Sequence, residues 1–95
     1  MVKHIVMFKL AENTPLHREK AITALRGLAG KIETLRHLEV GEDFLGSERS
    51  FDIVLTTHFD DRDGLKAYAA HEHHLPVVAL MRELCAKSVV VDYEV

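Results

Sequence analysis

Tryptophan is absent from these 95 residues, cysteine occurs once, proline twice, and the aromatic residues are four phenylalanines and two tyrosines. Each shortage excludes something. A single cysteine, Cys85, forbids an intramolecular disulfide and a cysteine-rich zinc site. With so few aromatics, the core must be built from valine, leucine, isoleucine and alanine. The twelve basic residues are scattered and the formal charge is −3, so no stripe exists to track a phosphate backbone, and nucleic-acid binding is not expected. No stretch approaches the roughly 20 apolar residues of a membrane span. The opening Met1–Phe8 run is too short for a signal peptide, lacks a small-residue cleavage site and ends at Lys9. A cytoplasmic protein is the expectation. Gly-rich phosphate loops, a Ser-His-Asp order and paired carboxylates are also missing, so no cofactor is expected.

What remains is an ordinary globular balance: 47% hydrophobic and 28% charged, in a length that suits one domain over residues 1–95. Lys3–Leu10 is rich in β-branched and large apolar residues and predicts a strand. Its alternation puts His4, Val6, Phe8 and Leu10 on one face and Lys3, Ile5, Met7 and Lys9 on the other. Thr14-Pro15 is a helix start, with a capping hydroxyl followed by proline where its missing N–H costs nothing. Ile22, Leu25, Leu28, Ala29, Ile32 and Leu35 recur at steps of three and four, which predicts a long amphipathic helix from Pro15 to about Leu35. Gly27 and Gly30 fall inside it, at about 1 kcal/mol each against alanine. They read either as tolerated residues or as a thin side that lets a strand or ligand approach.

His37–Phe44 alternates as a half-exposed second strand, with Leu38, Val40 and Phe44 on its apolar side. Phe51–Phe59 is a third, joined to it as a hairpin. Asp60-Asp61-Arg62-Asp63 opens a second helix with caps and dipole-matched acids, carrying Leu65, Tyr68 and Ala69 and ending near His71. Pro76 starts a short third helix whose Val77, Leu80, Met81 and Leu84 face inward, with Cys85 continuing its pattern as a small buried hydrophobe. Ser88–Glu94 is the last strand. The order β-α-β-β-α-β, with its second helical region broken in two, is the α+β ferredoxin-like arrangement: a four-stranded antiparallel sheet with helices on one face. The other face keeps Ile5, Met7 and several valines, and an uncovered apolar face on so small a chain marks an association surface. A homodimer through that open sheet face is the economical solution.

The most unusual stretch is Leu65–Val78, which holds three of the seven histidines. With the elements placed, the chain resembles the stress-responsive A/B barrel, or Dabb, family of dimeric α/β barrels. Lys3-His4-Ile5-Val6-Met7-Phe8-Lys9 is similar to the family's opening strand. Phe51-Asp52-Ile53-Val54-Leu55 leading to Phe59-Asp60-Asp61 is similar to its third strand and helix cap. Leu65–His74 stands where the family has Tyr-x-x-His-Pro-x-His, with Glu72 here in place of the proline. Val91-Asp92-Tyr93 matches its closing strand. The resemblance implies a dimer with a cavity between sheet and helices in each subunit. A plant polyketide cyclase of the family uses a histidine and a tyrosine of this motif for acid–base ring closure. By position these correspond to His74 and Tyr68, and a first-strand histidine to His4.

Three candidates follow: His4, Tyr68 and His74. Histidine titrates near neutrality and can serve as base or acid, and a tyrosine hydroxyl can hold a developing enolate oxygen. The plainer alternative is that they are hydrogen-bonded cavity polars without turnover. On the sequence alone, Tyr68 and His74 are expected at the opposite end of the cavity from His4. His71 and His74 have the spacing of two facing ligands on a helix, but no third ligand can be placed, and no metal site is expected. His71 reads as a helix-end residue, His73 and Glu72 as a solvated rim, His17 and His37 as surface, Met7 and Met81 as core filler. Three function classes are carried forward: binding of a small organic molecule, a cofactor-independent cyclase, lyase or isomerase acting on a carbonyl-rich substrate, and a stress-related structural oligomer. An open cavity supports the first two, and one filled by leucine and valine sinks them.

Overall fold

The alternation of the first strand organises the computed structural model, which describes residues 1–95. The elements are β1 (Val2–Leu10), α1 (Pro15–Arg26), β2 (His37–Glu42), β3 (Ile53–Phe59), α2 (Arg62–Ala69), α3 (Leu75–Leu84) and β4 (Cys85–Glu94). All strand pairs are antiparallel, in the order β2-β3-β1-β4, so the first strand is central and pairs with the last. The expected ferredoxin-like fold is present. Even-numbered positions of β1 and odd-numbered positions of β3 point at the helices, where Val2, Phe8, Leu10, Ile53, Leu55, Thr57 and Phe59 are buried.

One core cluster joins Phe8, Leu10, Ile53 and Leu55 to Ala21, Ile22 and Leu25 of α1 and Met81 of α3. A second joins Val2 and Phe59 to Leu28, Ile32 and Tyr68. Asp52 ties the sheet end to the loops: its carboxylate accepts from Leu10 N at 2.8 Å and from Asn13 Nδ2 at 3.0 Å.

Several expected boundaries move. Helix α1 ends at Arg26 and does not reach Leu35. Beyond it, Leu28 N bonds to Leu25 O and Ala29 N to Arg26 O, three-residue steps that tighten into turns, and Gly30 sits at φ 77°. The glycines terminate the helix; they neither thin it nor ride along. Leu28 and Ile32 are nevertheless buried, because turns of three residues keep the same side facing the sheet. Strand β2 stops at Glu42, so Phe44 leaves the apolar side and is 98% exposed in the loop. Cys85 is not the tail of α3 but the first residue of β4, beside an irregularity where the β1–β4 register shifts between Lys9 and Leu10.

The open face of the sheet carries cross-strand ranks. Thr56-Ile5-Val91 and Val54-Met7-Val89 form the middle, and Met7, Val89 and Val91 are exposed. His37-His58-Lys3-Tyr93 form the rank at one end. There the His37 and His58 rings lie 4.6 Å apart, and burial, His37 and Lys3 together hold His58 below the ordinary histidine range. No helix is long and apolar enough to cross a membrane.

Candidate functional site

Helix α2 delivers Tyr68. Asp61 caps it by accepting from Gly64 N at 2.8 Å, and Thr34 Oγ1 donates to the Gly64 carbonyl at 2.9 Å, which fixes the helix against the α1–β2 connection. Tyr68 is then driven inward by the helical period, and its ring packs 5.0 Å from Phe59. The chain next makes a tight turn in which Leu75 N and His74 N both bond to the His71 carbonyl. His71 pins this turn from outside: its Nε2 lies 3.3 Å from Glu33, and its Nδ1 accepts from His73 N at 3.1 Å. His74 thereby arrives at the N-cap of α3, with its Nδ1 3.1 Å from the Ala69 carbonyl.

The three candidate side chains are brought together, and at one end of the cavity. The Tyr68 ring lies 4.1 Å from His74 and 6.0 Å from His4. The expectation that His4 would face the other two across the cavity is therefore corrected. Its polar partner is also neither of them: His4 Nδ1 is hydrogen-bonded to the Asp92 carboxylate, delivered by β4 from the position that pairs with His4. Asp92 was missed by sequence reasoning. The available signal was an acid interrupting an apolar strand on the alternation that faces the helices, legible only with the strand order in hand.

Protonation follows from the partners. A carboxylate and a carbonyl can only accept, so Nδ1 of both His4 and His74 carries a hydrogen, and the neutral His74 ring keeps its lone pair on Nε2. Burial holds His74 below the ordinary imidazole range, with His4 and His71 pushing the same way against the Ala69 carbonyl, so it is neutral at pH 7. Tyr68 is 1% exposed, and burial pushes its phenol up to about 12. Its hydroxyl has no hydrogen-bond partner. A buried hydroxyl without a partner costs roughly 1–3 kcal/mol.

These side chains line a cavity of about 580 Å³ between the helix-facing side of β1 and β4 and the inner side of α3. Val6, Phe8, Leu25, Leu55, Val77 and Met81 supply its apolar walls. Cys85 lines it too, half-buried, its thiol pushed up by burial and by Asp52. The mouth lies along β4, where Val90 faces the helices yet remains 54% exposed. The three imidazoles of this stretch do not converge on one point: His71 stacks on His73 at 5.3 Å and turns to Glu33, and His74 turns to Tyr68. The arrangement can hold an apolar molecule, accept a proton at an imidazole and donate a hydrogen bond from a neutral phenol.

Comparison with known proteins gives consistent results. The family model described as Stress responsive A/B Barrel Domain matches residues 2–95. An uncharacterized protein of Streptomyces coelicolor is 35% identical over 97 residues, covering 99% of both chains. A dimeric protein of unknown function and ferredoxin-like fold from Bacteroides fragilis is 33% identical, with a TM-score of 0.86 over 99% of this chain and 95% of that one. A dimeric ferredoxin-like protein of unknown function from Thermobifida fusca is 28% identical, with a TM-score of 0.89 over 99% and 90% of the two chains.

Proposed function

The chain belongs to the stress-responsive A/B barrel domain family, and from that premise we propose that it binds a small organic molecule in the cavity lined by His4, Tyr68 and His74. The observation that carries this reading is the orphaned Tyr68 hydroxyl, buried beside two imidazoles at the end of an apolar cavity. A ligand carbonyl oxygen is the partner it lacks. A methyl ketone such as 2-decanone tests this. On titration, amide and imidazole NMR signals of Val6, Val77, His4 and His74 should shift saturably, and Tyr68→Phe should weaken the effect. Shifts confined to other surfaces would remove the cavity from consideration.

A second reading, acid–base catalysis, is favoured by the tautomers. The His74 Nε2 lone pair takes a proton from the carbon beside the carbonyl, and the neutral Tyr68 hydroxyl donates to the enolate oxygen that forms. His4, held by Asp92, supplies a second imidazole at the same end. The step is proton abstraction next to a carbonyl, shared by cyclase, lyase and isomerase chemistry. Deuterium exchange at the carbons flanking the ketone of 2-decanone in D2O reads it without a known substrate. Exchange should be faster with the protein than in buffer, and His74→Ala should return it to the buffer rate. Equal rates for the two proteins would leave a binder with no base.

The assembly proposed is a homodimer through the open sheet face. What supports it is the exposed pair of apolar ranks around Ile5 and Met7, together with the dimeric relatives.

A further inference from the structure

His74, Val78 and Arg82 are four residues apart in succession, so they form one stripe along α3, and all three line the cavity. Two turns of helix separate His74 from Arg82, about 12 Å at 1.5 Å per residue. The opposite wall has the same length: β1 runs from His4 to Phe8, about 13 Å at 3.3 Å per residue. One end of the cavity thus holds His4, Tyr68 and His74, and the other holds Arg82 beside Cys85 and Ser88. Between them the walls are Val6, Leu55, Val77 and Val78.

The two ends present different groups to the cavity. At the histidine end, Asp92 engages His4 and discourages a second carboxylate. At the far end, the Arg82 guanidinium makes no hydrogen bond or ion pair, like the exposed Arg26 and Arg49, whereas Arg18, Arg36 and Arg62 are matched with Glu42, Asp60 and Glu94. The acid there is Asp52, which acts on Cys85 but is held by Leu10 N and Asn13. Lys87 also lines that end but pairs with Lys9 in register, which sends its side chain to the other face of the sheet. Arg82 is therefore the cation the cavity presents. Its place in the last turn of α3 suits the helix dipole and accounts for a basic residue there. Its alignment with His74 along one stripe of the cavity the dipole does not account for.

We propose that the ligand is an elongated organic acid: a carboxylate paired with Arg82, an aliphatic middle, and a carbonyl at the Tyr68–His74 end. This rests on the cavity-binding reading above and adds the ligand's charge and orientation. A guanidinium pairs a carboxylate through two parallel N–H···O bonds, which lysine cannot reproduce.

The test compares 2-decanone with 9-oxodecanoate, the same skeleton with the far methyl replaced by a carboxylate. Wild type, Arg82→Gln and Arg82→Lys are titrated with each by NMR and calorimetry. The wild type should bind the keto acid about tenfold more tightly than the ketone, an advantage that shrinks with salt. Arg82→Gln should bring the two molecules to equal affinity, and Arg82→Lys should restore only part of the difference. Equal affinities for both molecules, unmoved by Arg82→Gln, overturn the assignment of Arg82 while the cavity reading stands. Binding of neither molecule overturns both. Arg82 is exposed, so its replacement leaves the core intact and a lost signal is not a lost fold.

Discussion

Tyr68 sets stability against function within one side chain. Its ring is core, packed with Phe59 and two imidazoles, and its hydroxyl is an unpaired buried polar atom. Removing only the oxygen should leave the packing and relieve the desolvation. Tyr68→Phe is therefore expected to match or exceed the wild type by up to about 1 kcal/mol in urea denaturation, while ligand affinity falls. A loss of stability instead would show that the hydroxyl has a partner in solution. His74 adds a pH dependence with a definite sign. The unfolded imidazole takes up a proton near an ordinary value of about 6.5, whereas burial makes the folded one resist. Its contribution is complete above that pH and is lost as pH falls towards the depressed folded value; His58 acts in the same direction. Urea midpoints should drop between pH 7.5 and 5.5, and His74→Asn should flatten part of that slope. An unchanged slope would mean that the buried ring is not the group responsible.

At the scale of elements, the presence and faces of the strands were legible, and the ends of strands and helices were not. Period two assigned the residues of β1 to two faces even though Ile5 and Met7 leave neither of them fully polar. The run from Ile22 to Leu35 misled because three-residue turns repeat the apolar spacing of a helix, so Leu28 and Ile32 stay buried after α1 has ended. Gly30 was the better signal, since its φ of 77° is one that alanine adopts at a cost. Nothing lies within 4 Å of a Cβ added there, so Gly30→Ala meets no clash and should lose about 1 kcal/mol from backbone strain alone, read by denaturation. The site divided the same way. His4, Tyr68 and His74 were named from the sequence and do converge. Asp92 and the far end at Arg82 depend on register and on which helix faces which strand, and these are tertiary facts.

For the whole molecule, the sheet has two unlike sides, one spent on the helices and one still exposed. Met7 stands in the middle of the exposed apolar ranks and is 44% exposed. Met7→Lys should leave the far-UV circular dichroism unchanged and turn a dimer into a monomer by sedimentation at micromolar concentration. A dimer that survives it uses another surface. Strand β4 joins these two sides: Val89 and Val91 stand on the open face, while Val90 lines the cavity and Asp92 holds His4, which lines it too. The proposed dimer face and the proposed ligand site thus share one edge strand, so a ligand that orders β4 should tighten the dimer, and the dimer should tighten the ligand by the same factor.

The pairing of the first strand with the last has a consequence for synthesis. Residues Val2 and Glu94 are register partners, and β1 cannot complete its central place until β4 lies beside it. Pairings between such distant segments close slowly, and a ribosome makes the partner last. A nascent chain short of Cys85 holds the helices and three strands, but His4 has no Asp92 and the cavity has no wall at its mouth. Competence arrives with the final ten-residue strand.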